Sequence, residues 1–550
     1  MEGVRILIFY LAVPSLFFSV LRQLLSWRKK QARSNSSIPE PRQFPIIGRV
    51  HDLDRFCMWK KFKEWADVYG PIYRTSMLGQ QFIIISDEKI AEELLVKRGH
   101  IYSGRPQIRA LFDHKTGPGY VALMDRHGME HLASGVVVLL TCDPQDIWTR
   151  QRKWVHAAMA EFHRHHFFGV IESEVKRYLA VLLLDPEKFH ANTREHCGRI
   201  MSRLAWDDAS MGKENADSAD CTLTQMSVSG PIVNTMTPLW AIPWAFNPWK
   251  KFERAREDQQ RSWWLDSFQT AKQKFLRGDL AQSTWSNRYF TGLQKQGNLN
   301  LDQSHQEEEF ASCMLGFQNL VGVVTISGPL QFFLMAMMLH PEWQAKAQEE
   351  IDRVCGDRMP TTADIPDMPT VRACLKETLR WRSGVPLGVP HQAEQDDEFR
   401  GEKISKGTIV LACEWSMNRV AERYLDPENF HPERYLEKGW PTYQEPLSRY
   451  PNFRDGVGMH TFGWGRRTCL GQHIVDDEMF ISGAGVLWAF NLERKKCPRT
   501  GRVIEFDSEA TNAHVILEPL PFPCDFQPRS PKKTAQILSG YAEDRAQRGA

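Results

Sequence analysis

Phe462-Gly463-Trp464-Gly465-Arg466-Arg467-Thr468-Cys469-Leu470-Gly471 gathers glycines, two adjacent arginines and a cysteine in one turn-prone run near the end of a 550-residue chain. A thiolate that binds a metal needs donors aimed at its sulfur, a backbone that can come close, and positive charge nearby. All three needs are met by residue types within this run. A lone cysteine in a glycine-rich turn is ordinarily structural, but in this company Cys469 becomes a candidate metal ligand.

Moving toward the amino terminus, Phe430-His431-Pro432-Glu433-Arg434 is followed upstream by Lys376-Glu377-Thr378-Leu379-Arg380. Glu377 and Arg380 stand one helical turn apart and so share a face; read alone, they make an exposed ion pair of small energetic value. Further back, Glu307 to His340 is apolar nearly all round from Phe310 to Leu339, the pattern of a helix running through a large core. Pro329 predicts a kink or local break there. Gln318, Asn319 and Gln331 argue against a membrane span.

Trp59 to Val68 reads as a helix, with Ile72 to Arg74 and Gln81 to Ser86 as short paired strands. Helical periodicity dominates from about Trp148 to Leu379, and strand-like runs return at Thr408 to Ala412 and near His514 to Leu517. The expected fold is mainly α with minor β. Hydrophobic residues make up 42% of the chain and charged residues 25%, enough to bury a core, and a net charge of +2 gives no reason to expect nucleic-acid binding. The eleven cysteines form no C-x-x-C pair, which disfavours a disulfide framework or a zinc site and fits a reducing compartment.

The amino terminus carries the membrane signal. Ile6 to Leu21 is almost uninterrupted apolar sequence, extended by Leu24, Leu25 and Trp27 and followed by Arg28, Lys29 and Lys30. No small-residue cleavage site follows, so residues 1–27 are expected to be an uncleaved anchor that leaves the rest cytosolic. Residues 28–48 read as a basic, proline-rich linker, 49–530 as one large domain, and 531–550 as a polar tail.

With these pieces in order, the chain resembles the cytochrome P-450 family. The cysteine run fits F-x-x-G-x-R-x-C-x-G at each fixed position, Glu377 and Arg380 fit E-x-x-R, Arg434 fits the later P-E-R, and Trp148 and Arg152 fit W-x-x-x-R. The resemblance implies a haem b (iron protoporphyrin IX) with an axial thiolate from Cys469 and with Phe462 in its loop. It further implies a buried triad of Glu377, Arg380 and Arg434, and Trp148, Arg152, His391 and Arg467 as candidates for holding the haem propionates. The run Pro386-Leu387-Gly388-Val389-Pro390-His391 is similar to fungal members devoted to secondary metabolites. By the same resemblance the enzyme is a monooxygenase on the endoplasmic reticulum, taking a hydrophobic small molecule, dioxygen and electrons from a separate NADPH-dependent reductase. No dinucleotide fingerprint appears in the chain itself. Arg150, Arg152, Lys153, Arg466 and Arg467 could offer that acidic partner a basic docking surface.

Two departures stand out. Where the family usually carries A-G-x-(D/E)-T-(T/S), this chain has Val321-Gly322-Val323-Val324-Thr325-Ile326, so Gly322 and Thr325 remain as catalytic candidates while the acid is valine. Ordinary hydroxylation then has rivals: rearrangement, ring expansion or dehydration at the same haem, or a haem-binding membrane protein without activity. The second departure is Met129 to Gln145, which separates His127-Gly128 from Asp146-Ile147-Trp148 and reads either as a retained short intron or as an inserted substrate-contacting loop.

Overall fold

The computed structural model describes residues 38–45, 47–111, 119–124, 144–165, 167–297, 305–444 and 460–548. The expected anchor and nearly all of the Met129 to Gln145 segment lie outside them. In chain order the longer helices are α1 (Met58–Tyr69), α2 (Pro144–Arg164), α3 (Gly169–Leu184), α4 (Phe189–Trp206), α5 (Gly212–Met226), α6 (Pro248–Arg277), α7 (Trp285–Lys295), α8 (His305–Leu339), α9 (Pro341–Cys355), α10 (Pro369–Trp381), α11 (Gln472–Ala489) and α12 (Pro531–Arg548). The strands are β1 (Ile72–Met77), β2 (Gln80–Ile85), β3 (His391–Gln392), β4 (Asp397–Phe399), β5 (Glu402–Ile404), β6 (Ile409–Ala412), β7 (Phe490–Arg494) and β8 (Cys524–Pro528). Helix predominates, as the periodicity predicts.

The chain groups into two compact units, one drawn from Met1–Pro106 with Leu387–Met417, the other from Gln107–Pro386 with Asn418–Ala550. The first is built on a four-stranded sheet in the order β1-β2-β6-β3. β1 and β2 form an antiparallel hairpin pairing Ile72 with Ile85, while β6 joins β2 in parallel, pairing Phe82 with Ile409. Ile83, Ile84 and Ile85 are fully buried, which suits a β-branched run in an interior strand. Helix α1 buries Trp59, Phe62 and Trp65, and the Tyr73 hydroxyl ties it to the sheet by donating to the Phe62 carbonyl at 3.0 Å.

In the second unit α8 is the axis, packed by α4, α5, α6, α10 and α11. By length and composition it could cross a membrane, yet it is buried among these helices. Pro329 lies within it and the helix continues through to Leu339. Local chemistry sets the flanking helices: Asn247 caps α6 by accepting the Lys250 amide ahead of Pro248, and left-handed Gly278 ends it.

Two sequence expectations differ from the structure. His514 to Leu517 is not a strand; the run is drawn into an irregular turn because the Leu517 amide donates to the Gly384 carbonyl at 2.8 Å and the Val515 amide to Ser227 Oγ at 2.9 Å. β8 pairs with β7 instead. The polar tail folds as α12 against α3, with Ile537 buried and Lys533 laid over the Trp488 ring while reaching Asp352 at 3.0 Å. Ile537, a partly buried Tyr541 and one snorkelling lysine are too little for a period to reveal.

Candidate active site

The cysteine loop closes on itself. Gly463 adopts φ 73°, the left-handed conformation that favours glycine, and donates to the His460 carbonyl at 2.9 Å. One tight turn over Gly465–Arg467 follows, and the Cys469 amide returns to the Phe462 carbonyl at 2.8 Å. The Gly471 amide then points at the sulfur, 3.3 Å from Sγ, just ahead of α11. The Cys469 side chain is exposed, yet burial pushes its thiol pKa up against the opposing pull of the Gly471 amide and Arg152. The sulfur is thus accessible at its tip while neighbouring atoms crowd it.

Helix α2 supplies the charge beside this loop. Arg152 donates to the Thr468 carbonyl at 2.9 Å, and Arg467 to the Met124 carbonyl at 2.7 Å. Their guanidinium groups lie 5.3 and 4.8 Å from the Trp148 ring centroid. Burial lowers the pKa of Arg152, and no carboxylate pairs with it among the described residues. The buried Trp148 Nε1 likewise has no hydrogen-bond partner among the described residues. A desolvated Arg152 with no carboxylate beside it among the described residues, and an orphaned indole N–H, are what an anion would satisfy. Among the described residues no three His, Cys, Asp or Glu side chains gather, so a metal held by Cys469 has to bring its other ligands with it. These residues fit an iron porphyrin with acidic side chains.

His391 and the buried Arg105 belong to the first unit. The His391 Nδ1–H donates to the Tyr102 carbonyl at 2.7 Å, and Arg105 donates to the carbonyls of Val389 and Pro390 at 3.1 and 2.6 Å. Arg105 escapes a sequence reading because Gly104-Arg105-Pro106 carries one cation and no motif; its burial at 4% exposure emerges only in the fold.

Glu377, Arg380 and Arg434 meet in the second unit at 0%, 1% and 0% exposure. Arg380 grips Glu377 through two bonds of 2.7 and 2.8 Å, and Arg434 Nε reaches the same carboxylate at 3.2 Å. Main-chain carbonyls take further donors, so that each guanidinium nitrogen has a partner: Arg380 reaches Asn418, Pro427 and Asn429, and Arg434 reaches Leu425 and Asp426. The cluster is therefore satisfied and pins the chain from Asn418 to Arg434 onto α10.

From Phe310 to Met338 every residue of α8 is buried except Gln318, Val321, Gly322 and Thr325. Spacings of three and four put these on one stripe. Thr325 Oγ1 donates to the Val321 carbonyl at 2.8 Å. Gly322 is where α8 draws against α4, since a Cβ there would collide with Met201. Val324 is turned away, 6% exposed and part of the apolar core. Asn319 is fully buried, its oxygen taken by Asn215 at 2.7 Å and Ser202 at 3.3 Å, so it does not reach the stripe.

Of the basic candidates for a docking surface, Arg152 and Arg467 turn inward and Arg150 pairs with Glu307 at 2.8 Å. Lys153 and Arg466 stay exposed. The carboxyl of Glu478, on the helix that follows Cys469, is fully buried; desolvation pushes its pKa up to about 8, only partly opposed by the Cys197 thiol. The folded protein thus holds this proton more tightly than the unfolded chain. Stability from Glu478 is complete below the ordinary carboxylate range and is lost as pH rises through about 8. Glu478→Gln is expected to raise the apparent Tm by about 2–4 °C at alkaline pH and to leave it unchanged at acidic pH. An equal effect at both ends of a pH series of thermal melts contradicts a buried neutral acid.

The cytochrome P450 family model matches residues 38–503. Cytochrome P450 monooxygenase virE of Hypocrea virens is 28% identical over 532 residues, covering 94% of this chain and 90% of that protein. Cytochrome P450 monooxygenase ARMGADRAFT_1018420 of Armillaria gallica is 29% identical, covering 92% and 93%. Cytochrome P450 monooxygenase COX2 of Coprinopsis cinerea is 30% identical, covering 90% and 89%.

Proposed function

From the premise that the chain belongs to the cytochrome P450 family and is a monooxygenase of it, we propose that it oxidises a hydrophobic small molecule of fungal secondary metabolism. Cys469 ligates the iron of haem b, and electrons come from an NADPH-dependent cytochrome P450 reductase. The observation carrying this reading is the convergence of an accessible Cys469 with a desolvated Arg152, with Arg467 against the same Trp148 ring, and with an unpartnered Trp148 N–H. When bound, the haem supplies the activation of dioxygen.

The chain's own part is positioning. Trp148, Arg152 and Arg467 hold the acidic side chains of the group, the triad fixes the chain behind it, and the stripe on α8 forms the substrate side. Thr325 is the hydroxyl on that stripe able to hold a water and pass a proton. Lys153 and Arg466 are the cations left to meet the reductase, and residues 1–27 anchor the protein with its catalytic part on the cytosolic face of the endoplasmic reticulum.

The test is co-expression with a reductase, feeding extracts from a producing strain that lacks this gene, under ¹⁸O₂. A product carrying one ¹⁸O atom is expected. The valine at 324 favours a second reading, rearrangement, ring expansion or dehydration, which predicts a product without the label. Haem binding with no NADPH consumption on any extract leaves a non-catalytic protein. Thr325→Ala is expected to lower the fraction of NADPH ending in product by about 10-fold or more. Val324→Asp is not expected to repair proton delivery, because it buries an acid in the core; a lower haem-to-protein ratio is its expected mark. Higher coupling in Val324→Asp would show that the site can hydrate that acid.

A further inference from the structure

The accessible stripe of α8 is apolar at Val321 and carries one amide, Gln318. Its neighbours Phe317, Asn319 and Leu320 are buried, so the exposure is local to this face. Other polar side chains of the same helix turn an oxygen to partners inside the protein: Asn319 to Asn215 and Ser202, Ser327 to Glu518, Gln331 to His190 at 2.8 Å, while the amide nitrogens of Asn319 and Gln331 are buried without a hydrogen-bond partner among the described residues. Gln318 differs. Among the described residues its side chain makes no hydrogen bond, although an amide offers two donors and an acceptor. Half-buried on an apolar face, this amide has donors and an acceptor free for a water or a ligand group.

Gln318 and Thr325 are seven residues apart, a rise of about 10 Å along the helix. We propose that Gln318 is a specificity-determining residue that hydrogen-bonds a carbonyl or hydroxyl group on an otherwise apolar substrate. That group then lies about 10 Å from the atom presented beside Thr325. The proposal rests on the reading of this stripe as the substrate side, and it narrows the substrate class: a plain hydrocarbon leaves Gln318 unmatched, whereas an already oxygenated one satisfies it. A preceding oxidation, cyclisation or acyl condensation that leaves a distal oxygen is the class of reaction able to supply such a substrate.

The experiment titrates the full-chain holoprotein with N-alkylimidazoles, which ligate haem iron through the ring nitrogen and extend an alkyl chain into the site. Each is paired with its terminal hydroxy analogue, and affinity is read from the optical shift. At one chain length the hydroxyl is expected to raise affinity by about 3- to 10-fold. Gln318→Leu should erase that gain while leaving the plain alkyl ligands within about twofold of wild type. Gln318→Asn, one methylene shorter, should move the optimum to a longer chain. A hydroxyl gain with no preferred length, or one that survives in Gln318→Leu, overturns the assignment. If no imidazole of any length shifts the spectrum, the haem-site reading itself falls and takes the assignment with it.

Discussion

Cys469→Ser is expected to abolish the thiolate-specific absorption of the reduced carbon monoxide complex and to take turnover below detection. Serine is a harder and weaker donor to haem iron, and it inherits a site arranged around sulfur: one amide, from Gly471, 3.3 Å from Sγ, and a loop closed by the 2.8 Å bond from the Cys469 amide to Phe462. That backbone bond does not depend on the side chain, so the variant should fold, and Trp148, Arg152 and Arg467 should still offer their donors. Some haem is therefore expected to remain, with an altered spectrum. Difference spectroscopy on purified protein is the measurement; a wild-type band at wild-type intensity would remove Cys469 from the metal site.

Glu377→Ala and Arg380→Ala are expected to fail earlier, in folding. Removing Glu377 strands two guanidinium groups at 1% exposure or less, and removing Arg380 leaves three main-chain carbonyls, those of Asn418, Pro427 and Asn429, without their donor. Breaking a buried pair in this way costs about 3–5 kcal/mol, a large share of a typical domain's stability. Little haem-loaded protein should accumulate from either variant, measured as the ratio of haem to total chain. Glu377→Gln keeps acceptor and shape and should fall between. Normal occupancy in both alanine variants would show that the chain from Asn418 to Arg434 is held by something else.

What could be read from residues alone was set by range and repetition. The apolar period of α8, the turn-long spacing of Glu377 and Arg380, and the β-branched run of β2 are local patterns, and each element is found at its expected place. The meeting of Glu377 with Arg434 is a contact across 57 residues, visible in the sequence only through family likeness. Burial was the harder quantity. Five cations were equivalent as letters, yet the fold turns Arg152 and Arg467 inward and leaves Lys153 and Arg466 out. Arg105 sits in no pattern, and Gln318 reads in the sequence only as an interruption of an apolar run; each is distinguished by what surrounds it. The run from His514 to Leu517 has strand-like residues, but the partners that claim its amides are Gly384 and Ser227, far away along the chain.

The parallel pairing of β2 with β6 has a temporal side. Gln80 Nε2, at the start of β2, bonds the Gly407 carbonyl, a partner 327 residues later in the chain. At a synthesis rate of roughly 5–20 residues per second, β2 waits about 15–65 s before its neighbour is made. Through that interval the hairpin of β1 and β2 presents one open edge bearing Phe82, Ile83, Ile84 and Ile85, the kind of apolar strand margin that recruits other chains. That edge is the chain's most exposed liability while the intervening helices are being translated, and Cys469 emerges later still, so haem capture belongs to the last act of biogenesis.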